Sequence, residues 1–215
     1  MYVITADQIN SRNDRDRAGE LIAALEHQFG QSFALPADQT AGDEIQILLT
    51  DADAALGAIL LIHRTGSWNT GLGLGRVRTP LAATTRQSAG EAFIAARDAV
   101  IRSKRSDAHF ALNVPALASA HAERMPETTI NAAELEALIT LTLAIRQRRT
   151  AEGWEVIDLL GEGLSQIDIA ARLGISTGAV SQRLKTSLWR VEEAARPALV
   201  RLMESLEHAA REMKD

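Results

Sequence analysis

The spacing of apolar and polar positions divides the chain near residue 115. Before that point, short β-rich runs alternate with amphipathic helical segments, and after Pro115 the pattern stays helical. The predicted strands cover 2–6, 32–40, 44–49, 70–77 and 109–114, and the predicted helices between them cover 17–29, 52–64 and 89–104. The order β-α-β-β-α-β, followed by one more helix and strand, predicts a ferredoxin-like fold, an antiparallel sheet with helices on one face.

The second half of the chain is predicted to be helical throughout. Helical runs cover 132–149, 151–160 and 188–214, and the stretch 122–131, with one proline and two threonines, indicates a linker. The predicted fold class is therefore α+β, with an α+β domain over residues 1–121 and an all-α domain over residues 132–215.

Residues 165–187 have the pattern of a DNA-binding helix-turn-helix. Ser165 is placed to cap a first helix, with Asp168 at its third position, Gly174 at the corner and Ser176 capping a second helix. The outward face of the second helix carries side chains that hydrogen-bond base edges and phosphates. The residues predicted to contact DNA are Ser176, Thr177, Ser181, Gln182, Arg183 and Lys185.

Charge supports this interpretation locally. The whole chain has a net charge of −5, yet residues 169–191 contain four basic residues (Arg172, Arg183, Lys185 and Arg190) and no acidic one. A surface that faces phosphates requires such a gap in negative charge. The alternative, an ordinary helical hairpin with a solvated polar face, stays open on the pattern alone.

Composition excludes several kinds of site. The chain of 215 residues contains no cysteine, which rules out disulfides, thiolate zinc sites and cysteine nucleophiles. The five histidines are scattered, so any metal site is built from oxygen ligands, which favours magnesium, manganese or calcium. The first residues do not resemble a signal peptide, and the longest apolar run, 54–62, is too short to span a bilayer. A cytoplasmic protein without a membrane segment is expected.

Two carboxylates are predicted to meet at one edge of the sheet. Asp7 follows the first strand, and Asp43 lies at the tip of the hairpin between the second and third strands. Two neighbouring carboxylates repel each other unless a cation lies between them, which suggests a divalent metal. The loop 8–12 could offer backbone amides and Arg12 to phosphates. Alternatively, both aspartates simply cap turns.

Four stretches resemble the SatD family in their order and spacing: YVITADQINSR, TAGDEIQILL, TGLGLGRV and AGEAFIAARDAV, within residues 1–114. More distantly, the layout is similar to class III nucleotidyl cyclase and GGDEF-type domains. That resemblance implies that Asp7 and Asp43 hold Mg²⁺ or Mn²⁺ against a purine nucleoside triphosphate, and that Arg97 matches a transition-state arginine. The residues it places around the nucleotide are Asn10, Ser11, Arg12, Gly42, Glu44, Gly73 and Arg97.

The chain also departs from the cyclase pattern. Phe93 stands where class III cyclases have an asparagine, the hairpin reads AGDEI, and no lysine is expected near either aspartate to select a purine edge. Binding of a nucleotide is therefore expected rather than its cyclisation. Arg97 could instead pair with Asp43 or Glu44. The alternating glycines of 70–77 indicate a strand that passes close to a ligand or a helix.

These features together predict a bacterial transcription regulator that binds operator DNA and senses a metal-bound purine nucleotide in a catalytically inactive cyclase-like domain. The alternatives are a nucleotidyl cyclase or nucleotidyltransferase with a DNA-binding tail, and a scaffold whose helix-turn-helix binds protein. The apolar surface of helices 132–149 and 188–214 favours a homodimer. A dimer would present two recognition helices about 34 Å apart, which predicts a palindromic operator.

Overall fold

The computed structural model describes residues 1–40, 42–114 and 130–212, which form a mixed α/β protein. The five strands are β1 (Tyr2–Gln8), β2 (Phe33–Gln39), β3 (Glu44–Leu49), β4 (Trp68–Leu74) and β5 (Phe110–Asn113). The helices of this half are α1 (Ala18–Phe29), α2 (Ala52–Arg64) and α3 (Glu91–Ser103). The predicted order of elements is confirmed, with ends that differ by a few residues.

The sheet is mixed rather than antiparallel. Its strand order is β2-β3-β1-β4-β5, and all neighbours are antiparallel except β4 and β5, which are parallel. The prediction of an antiparallel sheet is therefore wrong at this edge. Strands β4 and β5 are parallel because α3 connects them and carries the chain back across the sheet, so that β5 runs in the same direction as β4.

The helices lie on both faces of the sheet, so the prediction of helices on one face is also wrong. Helix α3 covers the face that carries Val3 and the β4 glycines, and α1 and α2 pack against each other over the alternate, fully buried positions such as Ile4. A Cβ at Gly71 would lie 2.3 Å from the Val100 backbone nitrogen, and one at Gly73 would lie 2.1 Å from the Ala92 carbonyl oxygen. The glycines thus bring β4 into backbone contact with α3.

The second half consists of five helices in the part of the chain that the structure describes. They are α4 (Ala132–Gln147), α5 (Ala151–Gly161), α6 (Gln166–Leu173), α7 (Thr177–Thr186) and α8 (Trp189–Glu212), as the periodicity predicts. The predicted linker 122–131 falls outside the described residues except at its last two positions. The chain divides into two compact units, one of Met1–Thr140 with Leu199–Asp215 and one of Leu141–Ala198. This division groups the end of α8 with the first unit, whereas the sequence analysis assigned it to the second domain.

The apolar residues in the second half of α8 are buried within the single chain. Leu199, Met203, Leu206 and Ala210 are at most 5% exposed. The prediction of a homodimer rested partly on the apolar surface of helix 188–214. Because these four residues are covered within one chain, the homodimer loses this part of its support. No helix among the described residues is both long and apolar enough to cross a membrane.

Candidate functional sites

The first candidate site is a cleft of about 1020 Å³ at the end of β1. In the sheet, Asp7 is paired with Glu44 of β3 on one side and with Asn69 of β4 on the other. The Gln8 amide donates to the Asp43 carbonyl at 3.2 Å, so both aspartates lie at this edge as predicted. The predicted residues that line the cleft are Asp7, Asn10, Ser11, Arg12, Gly42 and Asp43.

A buried glutamine shapes the loop that forms one wall of the cleft. The Gln8 side chain, 3% exposed, donates to the Arg15 carbonyl at 2.8 Å and accepts from the Arg17 amide at 3.1 Å. Asn10 has a positive φ of 56° and precedes a short 3₁₀ helix over Ser11–Asn13. The hydrogen bond from Arg17 lowers the pKa of Asp14, so this carboxylate stays ionised and holds the far end of the loop.

The structure corrects the expectation that no lysine lies near the aspartates. Lys104 Nζ lies 2.8 Å from Asp7 Oδ2, with Lys104 about half exposed and the Asp7 side chain largely covered. Lys104 follows α3, and the packing of α3 on β4 brings it to the end of β1. The contact between Lys104 and Asp7 depends on the tertiary fold, so no local pattern in the sequence predicts it.

The carboxylates of Asp43 and Asp7 differ in whether they already have a partner. Its half-buried carboxylate makes no hydrogen bond or ion pair with any described residue, whereas Asp7 is paired with Lys104. Among residues 1–40, 42–114 and 130–212, no group of three or more histidine, aspartate or glutamate side chains is arranged to hold a metal ion. A cation held by Asp7 and Asp43 would need water or ligand oxygens to complete its shell.

Glu44, Gly73 and Arg97 do not join the cleft, contrary to the expectation from the cyclase resemblance. Arg97 Nη2 donates to Glu44 Oε1 at 2.7 Å, and Thr40 Oγ1 donates to the same oxygen at 3.0 Å. Gly73 lies beneath α3, where its missing side chain admits the helix. The arrangement of Arg97 is the structural pairing with Glu44 that the sequence analysis left open.

Besides Lys104, the cleft has other polar side chains that the sequence did not predict, among them Asn69 and His109. Asn69, 6% exposed, lies beside Asp7 through the β1–β4 register, and its Oδ1 lies 3.0 Å from His109 Nδ1. His109 has a positive φ of 50°, which is uncommon for a residue with a side chain. Both could have been found only by assuming the strand register, because neither belongs to a local motif.

The second candidate site is the pair α6 and α7. Ser165 and Asp168 form the predicted capping box at the start of α6, and Gly174 ends the helix with the left-handed φ of 65°. Ser176 accepts from the Ala179 amide at 3.1 Å and so caps α7. Residues of α6 and α7 share one core with α5, and the buried members are Val156, Leu159, Ile169, Ala170, Val180 and Leu184.

Most of the predicted DNA-contacting residues lie on an uncovered surface. The exposed ones are Ser176, Thr177, Ser181, Gln182 and Lys185. Arg183 differs, because it is partly buried and pairs with Glu155 at 3.0 Å. Arg172 likewise pairs with Glu162 at 3.0 Å. The side chains of Lys185 and Arg190 are exposed and make no hydrogen bond or ion pair with any described residue, so the unpaired positive charge of the segment rests on them.

A buried cluster of charges holds the end of α7. The Glu192 carboxylate is paired with both Arg146 and Arg149, and all three side chains are at most 9% exposed. Both guanidinium groups lie 4.8 Å from the centre of the Trp154 ring. Arg149 Nε donates at 2.8 Å to the carbonyl of Ser187, the residue that caps α7 at its C-terminus. The cluster therefore fixes the position at which α7 ends.

Comparison with family models, curated proteins and solved structures finds no match for this chain. The resemblance to the SatD family and to cyclase-like domains thus stays a prediction from the quoted stretches.

Proposed function

We propose that this chain is a transcription regulator that binds double-stranded operator DNA through α6 and α7. The observation that carries the proposal is the exposed polar face of α7, a helix capped at its start by Ser176 and held at its end through Ser187. Hydrogen-bonding side chains on a rigid helix are what sequence recognition in a major groove requires. The unpaired Lys185 and Arg190 supply charge for phosphate contacts.

The proposal includes a nucleotide sensor in the first unit, with a ferredoxin-like, cyclase-like fold. The order β2-β3-β1-β4, antiparallel throughout, supports that fold assignment. Asp7 and Asp43, beside an open polar cleft, are a donor set that Mg²⁺ or Mn²⁺ accepts when a triphosphate and water complete the shell. Bound cation would neutralise the two carboxylates and set phosphate oxygens beside the loop of Asn10, Ser11 and Arg12.

In this proposal Lys104 competes with the metal ion for Asp7. Without a metal it supplies the positive charge beside Asp7, at 2.8 Å. A cation held by Asp7 would displace the Lys104 ammonium, which could then pair with a phosphate of the nucleotide. We expect Lys104→Gln to weaken nucleotide binding while it strengthens binding of Mn²⁺ alone, because the competing cation is gone. Weakening of both would contradict this exchange.

The DNA part is tested with a duplex selected from a random pool by the wild-type chain. Gln182→Ala is expected to weaken binding by about 1–3 kcal/mol if the amide contacts a base edge. Gln147→Ala is the matched control, since Gln147 is exposed in the same unit but outside α6 and α7. Fluorescence anisotropy provides the affinities. Failure to select any duplex at moderate salt, or equal affinity of Gln182→Ala and wild type, would refute the DNA assignment.

The nucleotide part is tested by thermal stability in the presence of Mg²⁺ with ATP or GTP. A ligand at 100 times its dissociation constant stabilises the folded state by about 2.7 kcal/mol. Asp43→Asn should abolish this stabilisation, whereas Asp107→Asn, at an exposed position outside the cleft, should retain it. The alternative cyclase or nucleotidyltransferase activity predicts product from the same mixture, detected by chromatography.

One further comparison tests whether nucleotide binding in the first unit changes DNA binding by α6 and α7. Asp7→Ala should retain nucleotide-free DNA binding, because α6 and α7 belong to the other compact unit. The change in DNA affinity on adding nucleotide should disappear, since a ligand shifts an equilibrium only through differential binding. An equal nucleotide effect in wild type and Asp7→Ala would show that Asp7 is not part of the sensor.

A further inference from the structure

We propose that the first unit contains a second small-molecule site, which binds an organic anion of single charge with an aromatic or branched apolar body. The site is a cavity of about 820 Å³ at the start of α3. It shares no lining residue with the cleft of Asp7 and Asp43, so it does not rest on the proposed nucleotide binding. Its volume lies in the range of pockets that enclose small ligands.

The wall of this cavity depends on one glycine. Gly90 has a φ of +145°, and a Cβ there would lie 2.4 Å from the Arg76 carbonyl oxygen. Gly90 forms an isolated bridge with Val77, and the Arg78 amide donates to the Ala89 carbonyl at 2.8 Å. Because the two segments meet without a side chain between them, the arginines on either side of Val77 are held at the rim.

The cavity presents guanidinium groups in an ordered arrangement. Arginines line it at positions 76, 78, 86 and 97. Three of them are oriented by acids: Arg76 by Glu91 at 2.8 Å, Arg86 by Asp38 at 3.5 Å and Arg97 by Glu44 at 2.7 Å. The Arg78 side chain is exposed, and its guanidinium makes no hydrogen bond or ion pair with any described residue.

That unused guanidinium defines the polar end of the ligand. Its planar fork matches a carboxylate or phosphate oxygen pair. The remaining arginines are already neutralised, and Asp98 also lines the cavity, so the available positive charge is small. A singly charged anion is therefore favoured over a triphosphate.

Apolar side chains define the other end of the ligand. Phe93 and Val77 pack in one cluster beneath the cavity, and Ile94 lines it while 62% exposed. An isoleucine exposed to this degree beside arginines is suited to cover an apolar group whose charged end reaches Arg78.

The probe for the test is anilinonaphthalene sulfonate, an aromatic anion whose fluorescence rises in apolar cavities, titrated into the full chain. Arg78→Gln is expected to weaken dye binding about fivefold or more, through loss of a charge-assisted hydrogen bond. Arg105→Gln, an exposed arginine outside the cavity, should bind as wild type does. Ile94→Asn should also weaken binding, whereas Ile101→Asn, 60% exposed on the same helix and outside the cavity, should not.

Competition then identifies the anion. Benzoate carries one charge, whereas phenyl phosphate carries about −1.5 to −2 at pH 7. Displacement of the dye by benzoate is therefore expected, and displacement by phenyl phosphate alone would contradict a ligand of single charge. Circular dichroism verifies that each variant is folded. Absence of saturable dye binding, equal weakening by the Arg105 and Ile101 controls, or dye that neither competitor displaces would each overturn the proposal.

Discussion

Replacing Glu192 by glutamine is expected to destabilise the unit Leu141–Ala198 by about 3–5 kcal/mol. The substitution keeps the shape of the side chain and removes its charge. Glu192 is the shared partner of Arg146 and Arg149, whose side chains are only 9% and 1% exposed. Without the carboxylate, two buried guanidinium groups lose the counter-charge that they share, and removing one partner of a buried ion pair is costly.

Some contacts of the cluster survive the substitution. Arg149 still donates to the Ser187 carbonyl, and both guanidinium groups still face the Trp154 ring, so the loss should not exceed this range. Urea unfolding followed by tryptophan fluorescence measures the difference, because Trp154 and Trp189 both lie in this unit.

The matched control is Glu193→Gln, the same change at the neighbouring exposed position. It should shift the free energy of unfolding by less than about 0.5 kcal/mol. If Glu192→Gln is as stable as Glu193→Gln, the cluster does not hold the end of α7 and the reasoning is refuted. DNA affinity of Glu192→Gln should also fall, because Ser187, the C-terminal cap of α7, is positioned by Arg149.

Three further predictions concern the first unit. Gly73→Ala should destabilise the chain by about 1–3 kcal/mol or more through overlap with α3, measured by urea unfolding, whereas Gly30→Ala, with open space at its Cβ, should change little. Burial raises the pKa of Tyr2, so above about pH 10 only the unfolded state ionises and stability falls as pH rises; phenolate absorbance of this single tyrosine should appear together with unfolding, not before it. Met203→Ala should lower the free energy of unfolding by about 2–5 kcal/mol with no change in oligomeric state by light scattering, since Met203 is fully buried within one chain.

The local elements were predictable because their causes are local. The capping box at Ser165, the left-handed Gly174 and the cap at Ser176 each involve residues within a few positions of one another. The order of strands and helices follows equally from the change between two-residue and 3.6-residue periodicity. The meeting of Asp7 and Asp43 required only one further assumption, that β1 pairs with the hairpin, and the register bears it out.

The errors concern contacts between distant segments. Placing α3 on the second face of the sheet was decided by the close approach that Gly71 and Gly73 permit, while the sequence pattern was equally compatible with a glycine strand facing a ligand. The same packing sends Arg97 to Glu44 instead of the cleft and brings Lys104 to Asp7.

The sequence by itself therefore determined the set of helices and strands, their caps, and the juxtaposition of Asp7 and Asp43. Hydrogen bonds within a few residues and the alternation of side chains along a strand are enough to specify these features. Only the tertiary structure decided which cation faces Asp7, which acid holds Arg183, and that the end of α8 is covered within one chain. Such pairings depend on how helices cross a sheet or one another, and the packing of backbones sets those crossings, not the spacing of residues along the chain.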